Sequence, residues 1–230
     1  MKILCTICMR GGSKGVPGKN IKMLNGKPLM EYTIQQAMDC ELFDKIVIST
    51  DSDEILNIAK KMGLETWFKR PKSLSTDFVP KIPVIRNALL ESEKYFKTKF
   101  EIIFDLDVTS PLRNISDIKN AFLQFKNEQA DILITASKAR KNPYFNMVES
   151  NDGKIELVKK LQKNIGARQE APAVFDMNAS IYIWRREILI CSDSLFSEKT
   201  SLYPMPEERS FDIDTELDWS IVEFLIKKGT

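Results

Sequence analysis

Histidine is absent from this sequence of 230 residues. Its absence removes the most common general base, the usual proton switch near neutral pH and a frequent metal ligand. Any chemistry that the protein performs must therefore use carboxylates, lysine, arginine and backbone amides.

Long apolar runs are also missing, because no stretch approaches the roughly 20 residues that a transmembrane helix needs. The first nine residues are too short for the core of a signal peptide and lead directly into a glycine-rich stretch. We therefore expect a cytoplasmic protein without a membrane partner. The net charge is only +2, so the basic excess that is typical of nucleic-acid binders is absent too.

Cysteine is scarce, with four residues in the chain. Cys5 and Cys8 form a C-x-x-C pair inside the first apolar run. Residues three apart on a strand face opposite sides of the sheet, so this pair does not converge on a metal. We expect reduced, buried thiols.

Short β-branched runs alternate with amphipathic segments along the chain. The predicted strands cover 2–9, 45–50, 101–106, 131–137 and 180–185, and the predicted helices cover 28–40, 51–62, 83–96, 116–126 and 215–228. This alternation predicts an α/β fold with a Rossmann-like, mostly parallel sheet that has helices on both faces. The length favours a single domain over residues 1–230.

One region interrupts the alternation. Residues 138–174 are polar and contain scattered glycine, proline and asparagine. So long a connection inside a compact domain is usually functional or ordered by a partner. We interpret it as an inserted arm or small subdomain.

The stretch RGGSKGVPGKN, residues 10–20, follows the first predicted strand. The Walker pattern fails because Ser13 stands where its first glycine belongs and Asn20 where its hydroxyl belongs. The dinucleotide fingerprint fails because no two of these glycines are two positions apart. Successive backbone amides of small residues bind anions, and Arg10, Lys14 and Lys19 add positive charge. We favour a phosphate loop over a solvated basic turn.

The chain resembles the CMP-sialic acid synthetases, which are cytidylyltransferases that activate nonulosonic acids. The residues that carry this resemblance are RGGSKGVPGKNIKMLNGKPL near the start, TSPLR at 109–113, RQEAPAVFDMNASIYIW at 168–184 and FDIDTELDW at 211–219. The resemblance thus runs nearly from end to end. It implies a fold of the nucleotide-diphospho-sugar transferase type and the transfer of CMP from CTP to a 2-keto sugar acid.

The resemblance implies specific contacts on the CTP side. Arg10, Lys14 and Lys19 would hold the triphosphate and stabilise the leaving pyrophosphate. The remaining residues assigned to CTP are Gly11, Gly12, Ser13, Asn20, Arg70 and Lys81. Arg70 is equally compatible with a cation at a surface turn.

Asp212 and Asp214 are the candidate catalytic carboxylates. Residues two apart in an extended segment point the same way, so both carboxylates would face one Mg²⁺ ion. The alternative is a helix N-terminal cluster, since Asp214 and Thr215 precede a predicted helix. The family resemblance favours the metal site.

Sugar contacts implied by the resemblance are Asp107, Thr109, Ser110, Arg168, Gln169, Asn178 and Tyr182. Three positions depart from the family pattern: Asp107 replaces a glutamine, Phe145 a lysine and Asp176 an arginine. These departures favour an N,N'-diacetyllegionaminate-type sugar, and N-acetylneuraminate and pseudaminate remain alternatives. By the same resemblance, residues 138–174 would be a dimerisation arm, and the protein a homodimer.

Two other classes stay open at this point. A nucleotide-binding module without catalysis would have kept the loop, although the retention of Asp212 and Asp214 argues against it. A P-loop NTPase is disfavoured by Ser13 and Asn20.

Overall fold

The computed structural model describes residues 1–161 and 168–229. The strands are β1 Ile3–Cys8, β2 Met23–Leu24, β3 Lys27–Pro28, β4 Lys45–Ser49, β5 Ile102–Leu106, β6 Ile132–Lys138, β7 Val148–Asn151, β8 Lys154–Leu157, β9 Phe175–Arg185 and β10 Thr200–Pro204. The helices are α1 Leu29–Asp39, α2 Asp53–Lys61, α3 Lys81–Phe96, α4 Ile115–Asn127, α5 Arg186–Cys191 and α6 Glu216–Lys228.

A six-stranded sheet in the order β10-β6-β9-β5-β1-β4 forms the centre of the fold. Strands β4, β1 and β5 run parallel, as do β6 and β10, whereas β9 is antiparallel to both of its neighbours. The predicted α/β fold with a mostly parallel sheet is therefore confirmed.

Apolar residues occupy both faces of this sheet, as the near-continuous hydrophobic strands require. In β1, Ile3, Cys5 and Ile7 pack into the core that α1, α2, α4 and α6 cover. Leu4, on the other face, packs into the core that α3 and α5 cover. Cys5 lies in the first core and Cys8 packs against the second, so the C-x-x-C pair diverges as predicted.

Helix starts follow local capping chemistry. Asn114 at the start of α4 and Thr215 at the start of α6 each form a capping box with an aspartate three residues on. Helix α3 begins two residues before the predicted position. Pro80 occupies its N-cap position without a side-chain hydrogen bond, and Pro83 lies in its first turn, where a missing N–H is tolerated.

Several strands and helices were not predicted from the sequence. Strand β10 is short and lies at the edge of the sheet beside β6, and α5 is a single short helix after β9. Strand β9 begins at Phe175 rather than at residue 180. Its first part pairs with β6 through a register shift between Ile134 and Ala136.

Asn178 stabilises this irregularity. Its Oδ1 accepts from the Thr135 hydroxyl at 2.7 Å and from the Ser180 amide at 3.2 Å. Its Nδ2 donates to Ser210 Oγ at 3.0 Å. The next residue, Ala179, has a φ of 52°, which a bulge explains.

Residues 139–174 leave β6 and return to β9. Within them, β7 and β8 form a separate two-stranded sheet whose turn at Asp152 and Gly153 has positive φ at both positions. The single-domain boundaries and the dimerising role of the arm stay predictions.

Within the described residues, no helix has the length and apolar character to cross a bilayer, and the cytoplasmic location stays a prediction.

Candidate active site

The glycine loop, residues 10–20, lies at the carboxyl end of β1, where an α/β sheet binds its ligands. The side chain of Asn20 is buried, and its Nδ2 donates to the Arg10 carbonyl at 2.8 Å, which closes the loop on itself. The Asn20 carbonyl accepts from the Met30 amide at 2.9 Å and so fixes the loop to α1. Gly18 has a φ of 63°, which favours glycine.

Gly15 joins the loop to the acidic segment near the chain's end. A Cβ atom at Gly15 would lie 2.0 Å from the carbonyl oxygen of Asp214, so no larger residue fits. Lys19 Nζ contacts the Ile213 carbonyl and lies 3.4 Å from Asp214 Oδ1. The Ile213 amide donates to the Thr109 carbonyl at 2.9 Å. These contacts bring three distant segments to one edge of the sheet.

A cavity of about 240 Å³ opens between these segments. It is lined by Cys8, Met9, Arg10, Ser13, Lys14, Gly15, Lys19, Asn20, Asp107, Thr109 and Asp214. A second cavity of about 250 Å³ shares Cys8, Met9, Arg10 and Asp107 with the first and is extended by Arg70 and Lys81. Most residues predicted to bind CTP therefore surround two adjoining cavities.

Two of the predicted phosphate-binding cations meet a carboxylate that the sequence analysis did not identify. Arg10 Nη1 contacts Asp77 Oδ1, and Lys14 Nζ lies 2.5 Å from Asp77 Oδ2. Hydrogen bonding from Lys14, with a further contribution from Arg10, lowers the pKa of Asp77. Gly11 and Gly12 are exposed, and the Gly11 amide donates to Asp51 Oδ1 at 2.9 Å.

Arg70 is buried rather than exposed at a surface turn. Its Nη2 donates to the Met9 carbonyl at 3.1 Å and its Nε to Ser75 Oγ at 3.2 Å. Burial lowers its pKa. Arg70 thus anchors the chain that follows β4 against the end of β1 and also lines the second cavity.

Lys81 and two aspartates form a buried ion cluster at the end of β5. Lys81 Nζ lies 2.9 Å from Asp105 Oδ2 and 2.6 Å from Asp107 Oδ2. Burial alone would lower the pKa of Lys81, but the two carboxylates outweigh it and raise that pKa well above its usual value. Burial opposes the ionisation of Asp107, yet Lys81 and Thr109 lower the pKa of Asp107 to about 2. Lys81 and Asp107 are therefore both ionised at neutral pH.

Asp105 belongs to the missed residues. It is fully buried and its Oδ1 accepts from Thr6 Oγ1 at 2.7 Å. The pattern DLD at 105–107 carried a usable signal, because residues two apart on a strand share a face. No sequence pattern pointed to Asp77, because it lies in a loop without the periodicity of a strand or a helix.

Hydrogen bonds to β9 and to the end of β5 hold the segment TSPLR in place. Asp107 Oδ1 accepts from the Thr109 amide at 3.0 Å and from its hydroxyl at 2.9 Å, and Ser110 Oγ donates to the Asn178 carbonyl at 3.0 Å. Arg113 is buried and donates to the carbonyl of Ser180 at 2.6 Å and to that of Asp107. Ser110 and Arg113 thereby fix the ends of β5 and β9 beside the cavities.

Asp212 and Asp214 lie in different environments. Asp214 is exposed, whereas Asp212 Oδ1 is buried and has no hydrogen-bond partner among the residues that the structure describes. Burial, followed by repulsion from Asp107, raises the pKa of Asp212 to about 6. The N-cap of α6 is Thr215 rather than Asp214, and the Asp214 amide donates to Asp218 Oδ2 at 3.1 Å.

The predicted sugar contacts are dispersed. Gln169 lines a third cavity, of about 870 Å³, together with Lys138, Ala139, Arg140, Asn142, Ala171, Pro172, Ala173, Val174 and Glu207. Tyr182 is buried with its ring 4.8 Å from Lys81 Nζ. Asn178 is buried and its amide is engaged by protein partners. The side chain of Arg168 lies outside the described part of the structure, although its backbone begins a 3₁₀ turn.

The contact between Gly15 and Asp214 generates a stability prediction. We expect Gly15→Ala to lower the unfolding free energy by about 1–3 kcal/mol, because the added methyl group overlaps a backbone carbonyl and forces the two segments apart. Gly12→Ala is the matched control, because a Cβ atom there meets no atom within 4 Å. Urea denaturation measures both variants. Equal stability of the two would contradict the close approach.

Comparison with known proteins gives the site its context. The family model described as cytidylyltransferase matches residues 4–227. The chain is 53% identical to post-translational flagellin modification protein B of Campylobacter coli, over 99% of this chain and 96% of that protein. It is 52% identical to CMP-N,N'-diacetyllegionaminic acid synthase of Campylobacter jejuni, over 98% of this chain and 95% of that protein.

The fold agrees with that assignment. A CMP:2-keto-3-deoxy-manno-octonic acid synthetase solved with CTP superposes with a TM-score of 0.69 over 100% of both chains, at 14% sequence identity. That similarity concerns the fold, whereas the family model and the relatives concern the sequence. The family resemblance inferred from the motifs is confirmed, and the chain belongs to the cytidylyltransferase family.

Proposed function

We propose that the protein transfers CMP from CTP to an N,N'-diacetyllegionaminate-type sugar. The anomeric hydroxyl oxygen attacks the α-phosphorus and loses its proton as the new P–O bond forms. The bond between the α-phosphorus and the bridging oxygen breaks, and pyrophosphate leaves with its electron pair. The products are the CMP-sugar and pyrophosphate.

The observation that carries this proposal is the grouping of Arg10, Lys14 and Lys19 around one cavity beside Asp107 and Asp214. In phosphoryl-type transfer, the protein mainly positions the reactants and stabilises the charge on the phosphate oxygens. A site of fixed cations, without histidine, suits that demand.

Each CTP contact has a role in the proposal. Arg10, Lys14 and Lys19 bind the triphosphate and stabilise the charge that develops on the leaving pyrophosphate. Amides of Gly12 and Ser13 complete the phosphate cradle, and Gly11, whose amide donates to Asp51, holds the start of the loop in place. Arg70 and Lys81, which line the adjoining cavity, shape the nucleoside side.

Magnesium fits the acidic segment. Asp212 Oδ1 is a buried carboxylate oxygen that lacks a hydrogen-bond partner within residues 1–161 and 168–229, and Asp214 contributes a second carboxylate two residues away. Mg²⁺ prefers oxygen ligands and commonly uses one or two carboxylates together with substrate phosphates. In the proposal, Asp212 and Asp214 hold the ion. When bound, it neutralises charge on the phosphate oxygens.

The sugar identity rests on two supports. One is the similarity to the CMP-N,N'-diacetyllegionaminic acid synthase of Campylobacter jejuni. The other is the ionised Asp107 beside Lys81, at a position where many members of the family that the chain resembles carry glutamine. An ionised carboxylate accepts hydrogen bonds but donates none. Thr109 already donates two hydrogen bonds to Asp107 Oδ1, so in the proposal Oδ2, beside Lys81, accepts from a sugar N–H or O–H donor such as an additional acylamino group. Arg168, Gln169 and Tyr182 complete the sugar side in this proposal.

A homodimer is part of the proposal. In the hairpin of β7 and β8, Val148 pairs with Leu157 and Ser150 with Ile155, so the apolar members share one face. Val148 and Ile155 are more than 60% exposed. An isolated two-stranded hairpin is marginally stable in water. A second copy of the chain, placed by two-fold symmetry, would cover this face.

The reaction itself provides the first test. The protein is supplied with CTP, Mg²⁺ and one of a panel of sugars: N,N'-diacetyllegionaminate, N-acetylneuraminate and pseudaminate. We expect pyrophosphate release to have the highest kcat/KM with the legionaminate, because its donors match Asp107. Release without sugar would indicate an NTPase, and no release with any sugar would indicate a binding module. A higher value for another sugar would reassign the substrate.

Asp212→Asn is expected to lower kcat by about 100-fold or more, because it removes a charged ligand next to the transferring phosphate. The variant should nevertheless be more stable than the parent at pH 7–8. The pKa of Asp212 is raised from 3.8 to about 6. Its protonated form therefore stabilises the fold below about pH 4, and that stability is lost as the pH rises through 6.

Circular dichroism in urea at pH 5 and pH 8 measures this stability difference. Asp193→Asn serves as the control, because Asp193 pairs with Arg86 away from the cavities. Unchanged kcat in Asp212→Asn would refute the metal-binding role.

Val148→Asp is expected to convert the dimer to a monomer, because it places a charge on the apolar hairpin face. Glu149→Ala, on the opposite face of the same strand, should leave the dimer intact. Light scattering after size-exclusion chromatography at micromolar concentration distinguishes the two. A monomeric parent protein would overturn this part of the proposal.

A further inference from the structure

Asp77 pairs with two of the three cations that bind the triphosphate in the proposed function. Its Oδ1 contacts Arg10 Nη1 and its Oδ2 lies 2.5 Å from Lys14 Nζ. A carboxylate that bridges two cations through both oxygens occupies donor groups that phosphate oxygens also require.

The segment that carries Asp77 is anchored at both ends and little restrained in the middle. At its start, Ser75 Oγ accepts from Arg70 and donates to the Pro71 carbonyl at 3.1 Å. At its end, Lys81 is held in the ion cluster with Asp105 and Asp107. Between them, Phe78 is 91% exposed. The position of Asp77 therefore depends largely on its two ion pairs.

Those ion pairs are of the kind that a more highly charged anion displaces. The side chain of Asp77 is 30% exposed and that of Lys14 is 76% exposed, so solvent weakens the attraction. CTP and pyrophosphate each carry several charges and more than one oxygen per cation. A single carboxylate competes with them without excluding them.

We infer that Asp77 is an internal competitor for the phosphate-binding cations, which weakens pyrophosphate and triphosphate binding and so promotes release of pyrophosphate after the reaction. This inference rests on the proposed function for the identity of the ligands. Asp77 touches no reacting atom in this scheme. It acts through Arg10 and Lys14 as a positioning residue.

The competition has a selective consequence. Only ligands that bind Arg10 and Lys14 must displace Asp77. The competition therefore lowers the affinity for CTP and pyrophosphate and leaves the affinity for CMP unchanged. The apparent affinity of a ligand falls by the fraction of protein in the competent state. Removal of the competitor therefore restores affinity for polyphosphates alone.

Asp77→Asn tests the inference in the full-length protein. The amide keeps the size of the side chain and loses the charge. Isothermal titration calorimetry at constant ionic strength measures the binding of inorganic pyrophosphate, CTP and CMP. We expect Kd for pyrophosphate and CTP to fall by about three- to tenfold, which is the scale of exposed ion pairs, and Kd for CMP to stay the same.

The steady-state reaction gives a second readout. The inhibition constant for product pyrophosphate should fall by a similar factor in Asp77→Asn, which a purely structural role would not produce. Asp53→Asn is the matched control, because Asp53 is an exposed aspartate that pairs with Lys69 at 2.7 Å outside the glycine loop. It should change none of these constants.

The failures of the two proposals are distinguishable. If the parent protein binds pyrophosphate but releases none from CTP with any sugar, the proposed function fails while the competition remains measurable. If Asp77→Asn binds pyrophosphate no more tightly than the parent, or more weakly, the inference is overturned, and a direct ligand role for Asp77 is favoured when binding weakens. Absence of pyrophosphate binding in both proteins would overturn the inference together with the proposed site.

Discussion

The close approach of Gly15 to the Asp214 carbonyl is the constraint on which the site depends. It leaves no room for a Cβ atom and brings the glycine loop against the acidic segment near the chain's end. Lys19 makes a second contact to the same segment, across a separation of 195 residues in sequence. If the two segments separated, the cavity lined by Arg10, Lys14 and Asp214 would lose one wall.

Charge in this site is arranged as pairs that exist before any ligand binds. Lys81 is held by Asp105 and Asp107, Lys19 by Asp214, and Arg10 and Lys14 by Asp77. The pairs differ in burial, and that difference sets their character. In the Lys81 cluster, Asp105 is fully buried and Asp107 is 19% exposed, so removal of the lysine would leave a buried carboxylate without its cation. The Asp77 pairs are partly solvated and exchangeable, which is what a site for a transient polyphosphate requires.

The sequence allowed the main parts of the fold to be predicted, because apolar runs and helical periodicity mark β1, β4, β5, β6 and the long helices. It did not mark β10, whose residues TSLYP are half polar at a sheet edge, nor the first part of β9, whose pairing with β6 is interrupted by a bulge. The glycine loop and the acidic motif at 211–219 were the features that predicted a site, and the structure brings them together at one edge of the sheet. Asp77 and Asp105 were missed, since their roles arise from tertiary contacts with Arg10, Lys14 and Lys81. Asn178 was predicted as a sugar contact, and the structure gives its side chain partners within the bulge.

The antiparallel direction of β9 explains why the arm belongs near the ligand edge. Strand β6 runs parallel to β10 and ends at Lys138, and β9 begins at Phe175, which pairs with Lys138. The Ala139 amide donates to the Val174 carbonyl at 3.0 Å, so the two ends of the insertion leave the sheet together. Strand β9 is also antiparallel to β5, and its amino-terminal part therefore lies at the same edge as the carboxyl end of β5, where Asp107 lies. An insertion between β6 and β9 consequently projects from the side of the sheet where the glycine loop and the acidic segment meet. In the proposed homodimer, the second copy that covers the hairpin's apolar face would therefore approach that side as well.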